Sequence, residues 1–247
     1  MIAIEHLTKR YGSFTAVDDI SLAVGEGEIY GFLGPNGAGK TTTIRILAGL
    51  SLPTSGSARV AGRDIRTDSL AIKALTGYIP DRPYLYEKLT AIELLQFVAN
   101  LYGREWPECS AKAEEMLHYF DLQDWRNTRI ENFSHGMKQK LVIISALIHD
   151  PRLLIIDEPM VGLDALAQRQ VKQLLRRLAD DGKSVFLTTH TLSVAEAVCD
   201  RVAIIHHGRI IATGSVDTLK EGAGRPGTPL EDVFLQLTYD DNVQQPD

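Results

Sequence analysis

The run Gly34-Pro35-Asn36-Gly37-Ala38-Gly39-Lys40-Thr41 limits what this chain can fold into more than any other stretch. Its spacing is G-x-x-x-x-G-K-[ST]. Glycines reach backbone angles closed to other residues, so successive N–H groups can turn inward onto a phosphate. Lys40 brings a point charge to the β- and γ-phosphates, and the Thr41 hydroxyl is a ligand for Mg²⁺. The flanks agree. Glu28 to Leu33 reads as a buried strand and Thr42 to Gly49 as a helix, so a phosphate would sit on a helix N-terminus. The bland alternative, a glycine-rich turn with a solvated lysine, does not account for a strand and a helix on its two sides.

The rest of the chain reads as layers around that loop. Residues 1–25 alternate in short runs: Ile2 and Ile4 share one face, and Ile20, Leu22 and Val24 share another. Tyr11-Gly12 marks the turn between them, and Ala58 to Gly62 is a third short strand. These predict a small antiparallel sheet. From Thr90 to His149 the period becomes helical, with Ile92, Leu95, Val98 and Leu101 on one face and Ala113, Met116, Leu117 and Phe120 on another. A helical insertion over about 82–150 follows from this. Then come two apolar strands, Leu153 to Ile156 and Ser184 to Thr188, separated by a helix with Val171, Leu174, Leu175 and Leu178 on its inner face. That alternation implies a parallel sheet with right-handed crossovers. Arg201 to His206 and Arg209 to Thr213 read as a hairpin. The expectation is one domain over 1–240, with a polar, disordered tail over 241–247.

Composition narrows the partners. The net charge is −6 and no cluster of lysine and arginine stands out, which argues against a nucleic-acid partner. Cys109 and Cys199 lack metal-ligand spacing and fit a reducing compartment. The longest apolar run, Leu141 to Ile148, falls far short of the roughly 20 residues a membrane span needs. The N-terminus has no basic segment or signal-peptide core. The chain is expected to be soluble and to meet a membrane only through a partner.

A second chemical motif follows the helical insertion: Leu153-Leu154-Ile155-Ile156-Asp157-Glu158. At the C-terminal end of a parallel strand, Asp157 can face the phosphate loop and hold the Mg²⁺ shell, while Glu158 can orient or deprotonate a water. The competing reading of paired acids is a helix N-cap with a first-turn carboxylate. Ser134 and Gly136, before the apolar run from Leu141, look like a helix start, again suited to an anion. One nucleotide rarely needs two such starts. The economical reading is that this one serves a nucleotide held by another copy; the commoner reading of the residues alone is an ordinary capped helix.

With these motifs in order, residues 1 to about 220 resemble the ATP-binding cassette (ABC) transporter ATPase family. The phosphate loop is Gly34–Thr42, the signature is Ser134-His135-Gly136-Met137-Lys138-Gln139, and the acidic strand is followed by Pro159. Gly162-Leu163-Asp164 matches the D-loop, and Thr188-Thr189-His190 the switch histidine. The resemblance implies an α/β phosphate-loop NTPase (RecA-like) core with a small antiparallel β subdomain and an inserted helical subdomain. It implies ATP and Mg²⁺ as cofactors, with Thr41 and Asp157 at the metal. Gly34, Pro35, Asn36, Gly37, Ala38, Gly39, Lys40, Thr41 and Thr42 would hold the phosphates. Lys40, Glu158 and His190 would be catalytic, with His190 on the γ-phosphate. Tyr11 would stack on the adenine; a lone tyrosine more often just packs. Ser134, Gly136 and Asp164 would act across a dimer interface.

Two positions depart from the family pattern. Asp81 stands where glutamine is usual, and His135 where glycine is usual. The form Ser-x-Gly-Met-Lys-Gln-Lys, the acid at 81 and the run Pro229 to Leu235 look like the branch of drug, antibiotic and polymer exporters with separate membrane subunits. The implied partners are a second copy or a paralogous ATPase, and a membrane-spanning subunit received at Arg82 to Phe97. The implied place is the inner face of the cell membrane. A regulatory or non-transport ABC ATPase is the alternative, and a different phosphate-loop enzyme is disfavoured by the signature and the switch histidine.

Overall fold

The computed structural model of the chain describes residues 1–82, 84–222 and 229–243. Strands β1 (Ile2–Tyr11), β2 (Phe14–Val24), β4 (Ser55–Val60) and β5 (Arg63–Asp64) form an antiparallel sheet in the order β2-β1-β4-β5. A second sheet contains β3 (Ile29–Leu33), β6 (Thr76–Ile79), β7 (Leu153–Asp157), β8 (Ser184–Thr189), β9 (Arg201–His206) and β10 (Arg209–Ser215). Its order is β10-β9-β3-β8-β7-β6; all neighbours are parallel except the β9–β10 hairpin at the edge.

The central strands of the second sheet are covered on both faces, so their middles are apolar instead of alternating with polar residues, and their polar residues lie at the ends. Every residue of β3, β7 and β8 is buried. Side-chain alternation then divides the core in two. Tyr30, Phe32, Ile155, Phe186, Ala203 and Ile205 point to the face shared with the antiparallel sheet and with α1 (Lys40–Leu47). Ile29, Leu33, Leu154, Ile156, Val185 and Leu187 point to the opposite face, under the helices. Tyr30 stacks on Phe186 with ring centroids 5.9 Å apart, and Phe32 leans on the same ring at 5.6 Å.

Between β6 and β7 the chain makes α3 (Ala91–Leu101), α4 (Trp106–Tyr119) and α5 (His135–Leu147), with no strand among them. The helical insertion expected over 82–150 occupies this place. Thr90 starts α3 with a capping box: its hydroxyl accepts from the Glu93 N–H, and the Glu93 carboxylate accepts from the Thr90 N–H. The expected inner face of α3 needs correction. Ala91, Leu94, Leu95 and Ala99 are buried, whereas Leu101 is 68% exposed. Leu95 of the expected face is buried, Ile92 and Val98 are half-buried against the core, and the face is rotated so that Ala91, Leu94 and Ala99 join it while Leu101 stays at the surface.

The remaining helices are α2 (Ser69–Leu75), α6 (Ala165–Asp180), α7 (Leu192–Val198), α8 (Val216–Gly222) and α9 (Leu230–Val243). Val171, Leu174, Leu175 and Leu178 are buried on α6, as their spacing predicts. Helix α9 runs to Val243, so the polar tail expected from 241 begins inside a helix; 244–247 lie outside the described residues, as does Pro83 in the segment 82–97. Among the described residues no helix is long and apolar enough to cross a membrane.

Candidate active site

The loop between β3 and α1 is shaped by glycines. Gly39 has φ +112° and a Cβ there would lie 2.5 Å from the carbonyl oxygen of Ala16 on β2, so only glycine fits. Gly37 has φ +81°. Helix α1 begins at Lys40 itself, which places its free N–H groups at the loop. Lys40 is buried, and its Nζ donates to the carbonyl oxygens of Gly34 (2.6 Å) and Pro35 (3.1 Å). Ala38 is also buried, and its N–H donates to the Pro35 carbonyl. A cavity of about 230 Å³ opens over Asn36, Gly37, Gly39, Lys40, Thr41 and Thr42.

Across the C-terminal ends of the parallel strands the acids meet this loop. The Thr41 hydroxyl donates to Asp157 Oδ2 at 3.1 Å, and the Thr188 hydroxyl donates to Asp157 Oδ1 at 2.5 Å. Asp157 is the last residue of β7, and the next helix, α6, begins eight residues later behind its own cap Asp164. The helix-cap reading of the acid pair is therefore overturned. Glu158 stands next to Asp157 with φ +55°, a strained angle for a side-chain-bearing residue, and its N–H donates to the Thr188 carbonyl. Its carboxylate accepts from the Thr189 hydroxyl (3.1 Å) and the His190 N–H (3.0 Å), and its Oε1 lies 2.7 Å from His190 Nδ1. Glu158 is largely covered and His190 is half exposed.

Lys40 sits in the field of these acids. Burial pulls its ammonium below the ordinary lysine value, and the Glu158 and Asp157 carboxylates act in the opposite direction. The phenol of Tyr78 on β6 is raised, first by burial and then by Asp157, with Asp81 adding to the same effect.

The other expected residues fall into two groups. Tyr11 and Asp81 are tied to the site only through neighbouring residues. Tyr11 ends β1, pairs with Phe14 across the turn and carries Lys9 over its ring at 4.9 Å. Phe14, 61% exposed, lines the cavity over the phosphate loop, and sequence reasoning missed it. The signal was there: an aromatic three residues after Tyr11, facing it across a hairpin. Asp81 is exposed, two residues beyond Ile79, which pairs with Ile156. Ser134, Gly136 and Asp164 form the second group. Ser134 caps α5, accepting from the Met137 N–H at 3.2 Å, and Asp164 caps α6, accepting from the Ala167 N–H at 2.8 Å. The hydrogen bonds given to Ser134 stay within α5.

A groove of about 530 Å³ runs between α1 and α2 on one side and the end of α3 on the other. Leu50, Leu70, Thr76, Tyr78, Leu101 and Tyr102 line it, and Leu70 is 81% exposed. Beneath it Tyr102 stacks on buried His149, with ring centroids 3.6 Å apart. Burial pushes the His149 imidazole down from 6.5 to about 4.

These features were compared with known proteins. The ABC transporter family profile matches residues 17–161. The chain is 36% identical over 243 residues to the probable multidrug ABC transporter ATP-binding protein YbhF of Escherichia coli, covering 97% of this chain but only 42% of that protein. It therefore spans less than half the length of that relative. It is 38% identical to the linearmycin resistance ATP-binding protein LnrL of Bacillus subtilis, covering 96% of this chain and 75% of that one. It is 35% identical to the ABC-type transporter ATP-binding protein EcsA of Bacillus subtilis, covering 98% of both. Among solved structures, an ATP-binding subunit of an ABC transporter superposes with a TM-score of 0.91 at 33% identity, over 96% of this chain and 99% of that one. A dimeric ATP-binding cassette in a post-hydrolysis state, bound to ADP and Pi, superposes at 0.81 with 26% identity, over 87% and 99%. With a phosphate loop, an acidic strand end, a histidine just past the next strand and two capped helix starts on this fold, the chain belongs to the ABC transporter family as one of its ATP-binding cassettes.

Proposed function

We propose that the chain hydrolyses ATP as the motor subunit of a membrane exporter, two copies enclosing two ATP at their shared face. The observation that carries the hydrolytic reading is the line Thr41–Asp157–Glu158–His190 at the ends of adjacent parallel strands. The loop N–H groups and Lys40 hold the β- and γ-phosphates, and Lys40 exchanges the carbonyls of Gly34 and Pro35 for phosphate oxygens. The Thr41 hydroxyl and the Asp157 carboxylate are hard oxygen donors 3.1 Å apart, a pair that fits Mg²⁺. Bound there, such an ion would supply positive charge against the phosphate oxygens. Glu158 accepts the proton of the attacking water, and His190, on the same carboxylate, orients it and stands near the γ-phosphate. An aromatic on the β1–β2 hairpin, Tyr11 with Phe14 beside it, stacks on the adenine.

Ser134, Gly136 and Asp164 complete the site of the other copy. Their helix starts offer N–H groups to an anion from the opposite side. The dimeric cassette among the solved structures supports this reading. The names of YbhF and LnrL support drug or antibiotic export. A helix of a membrane-spanning subunit would lie in the groove at Leu50, Leu70 and Leu101, next to the segment 82–97, and hold the cassette at the inner face of the membrane. Asp81, between the strand ends and that segment, couples the two. Asp81→Ala is expected to lower turnover modestly in the free subunit and much more in the assembled transporter; equal losses would place Asp81 in the chemistry.

The shared site is tested by titration and mixing. Turnover per molecule should rise with protein concentration. A mixture of Lys40→Ala and Gly136→Asp chains should regain about one working site per heterodimer, because each variant damages a different half of the site. A flat concentration curve with no rescue would falsify the shared site.

A further inference from the structure

The two capped helix starts meet at one glycine. Between Glu158 and Asp164 the chain descends through two turns, with the Val161 N–H donating to the Glu158 carbonyl and the Leu163 N–H to the Met160 carbonyl. The bend is at Gly162, which has φ +76°. The side of Gly162 on which an L side chain would grow is filled by the imidazole of His135, the first residue of α5. A Cβ there would lie 2.3 Å from His135 Cδ2 and 2.4 Å from Nε2. The same carbonyl of Gly162 lies 3.2 Å from where a Cβ on Gly136 would stand. His135 is itself exposed, so its ring is held on one side by the loop and faces outward on the other.

We infer that His135 is a positioning residue, whose ring bears on Gly162 and holds the start of α5 and the loop Val161–Asp164 together as one surface. The inference rests on the shared-site reading above. In that reading the second copy's nucleotide meets Ser134 and Gly136 from α5 and Asp164 from α6. These are separate helices, and α5 belongs to the insertion while α6 belongs to the core. Without a contact between them, the insertion could tilt and carry Ser134 away while Asp164 stayed. The His135 ring removes that freedom by filling the space between the two starts. The contact is one of shape. A flat ring of similar size should serve as well as imidazole, and a small side chain should not.

Substitution at 135 separates shape from charge. His135→Ala removes the ring, and His135→Phe keeps a ring without its nitrogens. Both sit at an exposed position, and unchanged ATP affinity of the monomer will show that the phosphate loop has folded. In the Glu158→Gln background, full-length chains with ATP should form dimers on analytical ultracentrifugation. His135→Ala should weaken that dimer on the order of tenfold, in the range by which touching residues couple. His135→Phe should restore it. With Glu158 intact, His135→Ala should lower kcat while leaving the affinity of the monomer for ATP unchanged. Gly162→Ala should also weaken the dimer, because its methyl group displaces the ring. Dimerisation unaffected by His135→Ala would overturn the inference while leaving the shared site standing. Loss in both His135→Ala and His135→Phe would overturn it too, and assign the nitrogens to direct contact with phosphate. If Glu158→Gln chains form no dimer with ATP at all, the shared-site reading falls and this inference with it.

Discussion

The phosphate loop with its strand-end acids, and the starts of α5 and α6, are both places where a loop enters a helix, yet they are finished to different degrees. In the first region the charged groups at the centre already have partners within the chain. Lys40 is tied to Gly34 and Pro35, Asp157 to Thr41 and Thr188, and Glu158 to Thr189 and His190. In the second, Ser134 and Asp164 cap their own helices and His135 packs on Gly162, with the outer side left to solvent. The difference teaches that binding and completion are separable tasks. On the function proposed above, a chain alone can order the phosphates, whereas the opposing face has a use only when a second copy arrives against it. Damage to the first region should therefore appear in a monomer, and damage to the second only in a dimer.

The largest break in that comparison is expected from Lys40→Ala. It removes the buried cation and leaves Asp157 and Glu158 facing the γ-phosphate unopposed. ATP affinity measured by calorimetry should fall on the order of 10²-fold or more, as for loss of a desolvated charge-assisted contact. Unchanged affinity with normal turnover would remove Lys40 from the site. Glu158→Gln comes next. Glutamine keeps an acceptor for Thr189 and His190 but cannot take a proton. Steady-state turnover should drop on the order of 10²-fold with binding intact. Turnover like that of the unaltered chain would pass the base role to another group, with His190 the first to be substituted.

Smaller changes sharpen the boundary between the regions. Tyr11→Ala and Phe14→Ala compare two aromatics on one hairpin. Loss of a stacking partner costs about 1–3 kcal/mol, so the stacking ring should raise KM for ATP roughly tenfold and its neighbour by less. Equal and negligible effects from both would move the adenine elsewhere. The last effect lies outside both regions, at His149, and bears on stability instead of turnover. Its folded-state value of about 4 is below the ordinary 6.5, so the unfolded chain takes up the proton first as pH falls. Stability from burying the neutral ring is complete above about 6.5 and is lost as pH falls towards 4, by at most on the order of 3 kcal/mol. His149→Phe should keep the stack on Tyr102 and flatten this part of the pH dependence of Tm between pH 7 and 5. A slope as steep as that of the unaltered chain would clear His149 of the effect.

Much of this was legible in the sequence, for identifiable reasons. A phosphate loop needs particular residues at fixed spacing, so residues 34–42 could be read directly. The strands β3, β7 and β8 carry short apolar runs because helices and a second sheet cover them, and such runs stand out. The face of α3 was misjudged because Ala91 and Ala99 carry less hydrophobic weight than Leu101 in a spacing argument, yet small residues are what lets a helix approach its neighbours. Strand β6 and helix α7 are short and give no periodic signal of their own. Phe14 was missed because its relation to the loop depends on a hairpin that folds it over residues far along the chain. The contact of His135 with Gly162 joins two turns from opposite ends of the insertion and the core, which no local pattern encodes.

Glu158 holds a left-handed backbone angle of +55°, at a cost of roughly 1–3 kcal/mol for a residue with a side chain. Evolution meets that cost as a standing slope. Glycine, or asparagine, would sit at this angle more comfortably, and on the function proposed above either would remove the base from position 158. A lineage freed from the need for turnover would therefore drift readily to a silent cassette that still grips its nucleotide. On that reading, the strained glutamate is the one feature of the strand end that nucleotide binding alone would not require.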